Sequence, residues 1–343
     1  MAAALLVAAT TAEARDQIHI VGSSTVYPFS SYVAEELGAT TNNKTPVVES
    51  TGSGGGMKLF CAGNGLDTPD FSNASRRMKA REFETCQANG VNEITEVVVG
   101  YDGIALAQSN EAKALNLTRK EILLAVAAEV PNKAGTGLIA NPYHYWDEIN
   151  PELPHRKITV YGPPTSSGTR DAFEDLAMKA VAKKMDVYTN LYKADKKKNK
   201  KYKKYHEIRQ DGVYVPSGEN DNLIVQKLVK DSEAIGIFGY SYLAENSDRI
   251  SAATIAGVAP SPEAVQSGDY KLSRSLYFYI KKSHIGQVAG MKEYIKLFTS
   301  EQMIGDDGAC TDIGLIALPE KMREKYRHQA AGLTNLTADD LKK

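Results

Sequence analysis

Short apolar runs alternate with amphipathic stretches along the first hundred residues. The pattern predicts a strand over Ile18 to Val21, a helix from about Thr25 to Leu37, a strand over Pro46 to Glu49 and a helix opening at the glycine run Gly52 to Gly56. Asp70-Phe71-Ser72 ends a further strand, and Ser75 reads as the N-cap of a helix reaching about Asn89. Ile94 to Val99 and Asp102 to Ala107 read as two nearly continuous buried strands, followed by strands at Lys157 to Tyr161, Gly236 to Phe238 and Leu276 to Ile280. Strand and helix in alternation imply an α/β fold with parallel strands.

Three places where a helix would begin carry small hydroxyl residues and glycines: Gly22 to Pro28 (GSSTVYP), Ser50 to Gly56 (STGSGGG) and Thr165 to Arg170 (TSSGTR). A helix N-terminus offers unpaired N–H groups at the positive end of the macrodipole, and Ser or Thr adds a hydroxyl donor without bulk. One such segment is an ordinary cap. Three of them, each placed beyond the carboxyl end of a strand, suggest a pocket that surrounds a small tetrahedral oxyanion with neutral donors.

Composition narrows the class. At 343 residues the chain exceeds the usual single-domain size, and 42% hydrophobic residues are enough for two cores. A net charge of -1 argues against a general nucleic-acid binder. The first residues, MAAALLVAATTAEA, close on a small-x-small site at Ala12-Glu13-Ala14 and read as a signal-peptide remnant over 1–14, although the basic leader expected of one is missing. A frayed N-terminal helix is the other reading. The signal reading predicts a mature, soluble, exported protein that starts near Arg15 or Asp16.

Cys61 and Cys86 fall late in successive predicted helices, so a bridge between them would tie two neighbours in an oxidising compartment and leave Cys310 over. Three buried thiols in a reduced protein is the alternative. Neither the cysteines nor the six histidines have metal-ligand spacing, so no metal or other cofactor is expected. Lys193 to Lys204 holds eight lysines among twelve residues, a run that reads as a solvated helix or loop.

Beyond these patterns, the segments GSSTVYPF (Gly22 to Phe29), STGSGGGMKLFC (Ser50 to Cys61), NASRRMK (Asn73 to Lys79), GYDGIALA (Gly100 to Ala107), YGPPTSSGTRDAF (Tyr161 to Phe173), GENDNLIVQKL (Gly218 to Leu228) and TDIGLIALP (Thr311 to Pro319) occur in an order that resembles the periplasmic phosphate-binding proteins of ABC phosphate importers. The resemblance covers about Ile18 to Pro319. It implies a two-lobed periplasmic solute-binding fold of type II, each lobe a mixed sheet flanked by helices, closing on the anion like a hinge. The chain would cross between lobes near Asp102 to Gln108 and near Ser273 to Ile280. Lobe I would then comprise 16–104 plus 275–330, and lobe II 105–274.

Carried over residue by residue, the resemblance implies phosphate binding by Ser24, Thr25 and the Val26 amide, by Ser53, Gly54 and Ser75, and by Ser167, Gly168 and Thr169 from the opposite lobe. Glycine at 54 and 168 would let backbone N–H approach the oxyanion. The chain departs from the family at two places: Arg76 stands where the best-known members carry Asp, and Pro163 where they carry Arg four positions before the serine matching Ser167. Arg76 could supply a guanidinium fork, and Arg170 could assist or orient another group. Asp102 is the candidate acceptor for the proton that phosphate keeps near neutral pH and sulfate lacks. Its other reading is a turn cap before Gly103.

The resemblance further implies a monomeric receptor that captures inorganic phosphate with high affinity in the periplasm and delivers it to a membrane permease driven by a separate ATPase. A binding protein for sulfate, molybdate or a phosphonate would share the fold. A phosphate-ester hydrolase would need a metal pair or an activated nucleophile, and the sequence has no Gly-x-Ser-x-Gly elbow and no clustered histidines, so no catalytic residue is assigned. Tyr101, Asn220 and Asp221 are pocket or hinge candidates, the last two reading equally as caps of a helix near Leu223. Trp146, the single tryptophan, reads as lobe packing.

Overall fold

His19, Val47 and Phe71 begin three parallel strands laid side by side in a computed structural model, which describes residues 15–165, 167–198, 205–218 and 221–342. The predicted signal segment 1–14, Asn220 and the lysines from Lys200 to Lys204 lie outside the described residues, as does Ser166. β1 (His19–Gly22) pairs with β2 (Val47–Ser50) on one side and β3 (Phe71–Ala74) on the other. Helix α1 (Tyr27–Thr40) follows β1, with Pro28 in its first turn where a missing N–H costs nothing. Helix α2 (Gly52–Phe60) follows β2. Both helices therefore start beyond the carboxyl ends of their strands, at one edge of the sheet.

The two strands expected at Ile94 to Val99 and Asp102 to Ala107 are one. β4 runs unbroken over Ile94–Ser109, 16 residues. Its first part pairs antiparallel with the strand Ser273–Lys281, from Lys281 opposite Ile94 to Ser273 opposite Gly103, with a shift of register between Leu276 and Tyr277 that skips Val99. Its second part pairs antiparallel with Ile235–Gly239 and with Ile250–Ala252. Gly100 does not break the strand; it makes room, since a Cβ there would meet Leu315 Cδ1 at 2.5 Å and the Ile316 carbonyl at 2.9 Å. Beyond Ile235–Gly239 the sheet continues in parallel through Val160–Gly162 to Tyr214–Pro216. The strand expected at Lys157 to Tyr161 is thus shifted and shortened.

Two sets of buried side chains lie along this sheet. Ile20, Val33, Phe71, Val97, Phe278 and Phe298 pack under the β1 end, and Ile122, Leu123, Trp146, Phe173, Tyr188 and Ile237 under the other. Trp146 is packing, as expected. β4 and Ser273–Lys281 are shared ground, so the chain forms a two-lobed α/β body with crossing strands between the halves.

The helix expected from Ser75 begins later. Helix α3 spans Ala80–Ala88 with Lys79 at its N-cap, and the Glu82 carboxylate accepts the Lys79 N–H at 2.9 Å. Ser75 caps no helix because α3 begins only at Ala80; its N–H donates to Ser53 Oγ at 3.0 Å. Cys61, at the end of α2, is bridged to Cys86 in α3, across a sequence separation of 25. Cys310 is free and buried, and burial pushes its thiol up to about 12. The lysine run starts inside the helix Asp186–Lys197, where Lys193, Lys196 and Lys197 are exposed.

Candidate functional site

The first and third hydroxyl segments meet. Gly168, at the start of the helix Gly168–Phe173, faces the turn before α1 so closely that a Cβ on it would lie 2.7 Å from both Thr25 N and Thr25 Oγ1 and 2.8 Å from Ser24 Oγ. Only glycine fits there. At Gly54 an added Cβ meets nothing nearer than Arg76 Nη2 at 3.8 Å, so the protein itself does not demand glycine.

Local hydrogen bonds fix both turns. Ser23 N–H donates to the Asn73 carbonyl at 2.9 Å, and Ser23 Oγ accepts Thr25 N–H at 3.2 Å. Ser167 Oγ accepts Thr169 N–H at 3.2 Å, an N-cap that holds the first turn in place. The amides of Ser24, Val26 and Gly168 meet no acceptor among the described residues and remain available as donors. Ser53 and Ser75, from α2 and the end of β3, pair through their hydroxyls at 3.1 Å.

A residue that the sequence reading missed joins these pieces. Arg274, on the crossing strand, stands opposite Asp102 of β4. Its Nε donates to Asp102 Oδ2 at 3.3 Å, and its Nη2 donates to Thr25 Oγ1 at 2.8 Å and to the Gly168 carbonyl at 3.4 Å. One guanidinium thus touches both halves and the strands between them. Asp102 lies within a strand and not at a turn. Burial pushes its carboxyl above the usual range, against the pull of Arg274.

The two arginines singled out in the sequence are placed differently. The Arg76 fork is engaged by Glu82, at 2.9 and 2.6 Å. Arg170 is buried, donates to Glu174 at 2.8 Å and to the Pro163 carbonyl at 3.2 Å, and stacks over Tyr214 at 4.5 Å. Arg170 braces the loop that carries Ser167 and Gly168. Tyr101 turns its hydroxyl toward Met322, away from the cradle. Asp221 opens the helix Asp221–Lys230.

A cavity of about 790 Å³ has Ser53, Gly54, Ser75, Arg76 and Arg274 along one wall. Among the described residues no group of His, Cys, Asp and Glu is arranged to hold a metal ion. No described helix is long and apolar enough to cross a membrane.

Two α/β halves sharing crossing strands, with a polar cradle between them, define the class of two-lobed solute-binding proteins. The chain belongs to the PBP superfamily domain family, whose model matches residues 7–302. It is similar to the phosphate-binding protein PstS of Staphylococcus haemolyticus, 29% identical over 306 residues that cover 88% of this chain and 80% of that one. It is also similar to protein SphX of Synechococcus elongatus, 26% identical over 306 residues, with 88% and 77% covered. Among solved structures it resembles a possible phosphate binding protein from Planctomyces limnophilus, with a TM-score of 0.71 and 28% identity over 94% of this chain and 99% of the other. The chain is a non-enzymatic binding protein.

Proposed function

We propose that this chain captures inorganic phosphate between its two lobes outside the cytoplasm and hands it to the membrane permease of an ABC importer. Lobe I is 16–104 plus 275–330 and lobe II is 105–274. Mature protein, freed of residues 1–14, acts in the periplasm as a soluble monomer with no nucleic-acid partner. No covalent chemistry is involved; the sequence has no Gly-Lys-Ser/Thr phosphate loop after its glycine run, so the ATPase is a separate chain.

The observation that carries this reading is the convergence of Ser24 Oγ, Thr25 N and Thr25 Oγ1 on Gly168, with the Arg274 guanidinium alongside. Closure of the lobes puts neutral donors from both sides and one cation around a space suited to a single oxyanion. The backbone of Val26 and the residues Ser167 and Thr169 complete the cradle, and Ser53, Gly54 and Ser75 line its side. Water exclusion strengthens each hydrogen bond, which makes the binding tight. Arg274 takes the place of the arginine that Pro163 replaces, while Arg76 and Arg170 act through Glu82 and the Pro163 loop.

Selectivity rests on Asp102. An ionised carboxylate accepts a hydrogen bond from protonated phosphate and repels sulfate, which has no proton to offer. Calorimetric titration of phosphate-stripped protein with phosphate, sulfate and molybdate tests the reading. Tight phosphate binding with sulfate rejected is expected. Equal binding of sulfate makes the chain a general oxyanion receptor, and no binding of any of them refutes the cradle.

A further inference from the structure

The cavity beside the cradle is much larger than one tetrahedral anion needs. At about 790 Å³ it falls in the range of ~300–1,000 Å³ typical of sites for small organic ligands. Its far wall is built from the chain that follows Gly168. The turn Glu174–Lys179 is π-helical, a conformation frequent at functional sites, and it brings Asp175 and Lys179 to the wall as an ion pair at 2.6 Å. Glu174 is held by Arg170 at 2.8 Å. Lys183, Lys193 and Lys196 line the same wall and form no ion pair among the described residues. The lining as a whole has six Lys and Arg side chains against three carboxylates, in a chain whose net charge is -1.

A neutral substituent, such as the alcohol part of a phosphate ester, would not call for unpaired cations. Further phosphoryl groups would. We infer that this cavity is a second anion subsite and that the protein also takes condensed phosphates, diphosphate and triphosphate. One terminal phosphoryl group sits beside Arg274 at the mouth of the turns at Thr25 and Gly168, and the others extend into the cavity toward Lys183, Lys193 and Lys196. This rests on the reading of the cradle as a phosphate site, which it extends from one phosphoryl group to several. The lysines favour added negative charge by Coulomb attraction, and their exposure leaves orthophosphate in the cradle little affected.

The test is calorimetry on the phosphate-stripped full chain with orthophosphate, diphosphate and tripolyphosphate in metal-free buffer at fixed ionic strength. Wild type is compared with the triple variant Lys183→Gln, Lys193→Gln, Lys196→Gln. Diphosphate should bind wild type within about tenfold of orthophosphate and be displaced by it, since the two share the cradle. The triple variant should weaken diphosphate by about tenfold or more, and tripolyphosphate further, while orthophosphate shifts by less than about threefold. Orthophosphate binding without measurable diphosphate binding overturns the inference and leaves the cradle standing. An equal loss for all three ligands also overturns it, because the lysines would then supply only a general field. Failure of orthophosphate itself to bind removes the reading beneath it.

Discussion

The turns at Thr25 and Gly168 and the strands at Asp102 and Arg274 serve one cradle by different means. The turns offer neutral donors whose places are set within a few residues, by Ser23 on one side and Ser167 on the other. The strands offer a charge pair whose partners are 172 residues apart in sequence and are aligned only by antiparallel register. The turns supply shape and the strands supply charge. The difference teaches that, on the proposed reading, phosphate affinity would be divided between local and long-range structure, and each share should be separately removable.

Removing the strand-borne charge should have the largest effect. Arg274→Gln takes away the one cation among the described residues that touches both turns and removes the partner of buried Asp102; phosphate affinity should fall about a thousandfold, roughly 4 kcal/mol, by calorimetry. Arg274→Lys should recover only part, because an ammonium cannot reach Asp102 Oδ2, Thr25 Oγ1 and the Gly168 carbonyl in one plane.

On the turn side, Gly168→Ala places a methyl 2.7 Å from Thr25 N, a backbone atom that cannot move aside cheaply. Affinity should fall about a hundredfold by calorimetry, and the thermal stability of the stripped protein should drop as well, because the turns already meet without an anion.

Asp102→Asn sharpens the comparison by altering selectivity more than affinity. Phosphate should weaken about tenfold and sulfate should gain, as measured by competition. The pH dependence follows in sign from the raised carboxyl. Asp102 takes up its proton at a higher pH than an ordinary aspartate, so sulfate rejection by the wild type should fade as pH drops toward that range, while the Asn variant shows no such fading. Smallest of all is Arg76→Ala: its fork already holds Glu82, so phosphate affinity should change by less than about threefold.

Much of this was legible in the sequence. The helix starts at Tyr27, Gly52 and Gly168 follow from hydroxyl and glycine patterns that act within a turn, and the bridge between Cys61 and Cys86 was one of the two readings their spacing allowed. Ser75 misled because a serine before a polar stretch reads as a cap, and nothing local reveals that Ser53 engages both its hydroxyl and its N–H while the helix waits until Ala80. The fusion of two strands into β4 depended on Leu315 and Ile316 filling the notch at Gly100, more than 200 residues away in sequence. Arg274 was missed for the same reason. The signal was present in Ser273-Arg274-Ser275, three polar residues beginning an apolar strand already placed at the crossing, but pairing it with Asp102 required the register. Arg76 and Arg170 carry the right chemistry for an anion and are committed to Glu82 and Glu174, which a linear reading does not weigh.

The most direct test of the account is a crystal structure of the stripped protein soaked with phosphate. The account predicts one anion held by the Arg274 guanidinium, Thr25 and the Gly168 amide, with a phosphate oxygen against Asp102. An anion seated instead on Arg76, with Arg274 still closed on Thr25 and Asp102, would contradict it.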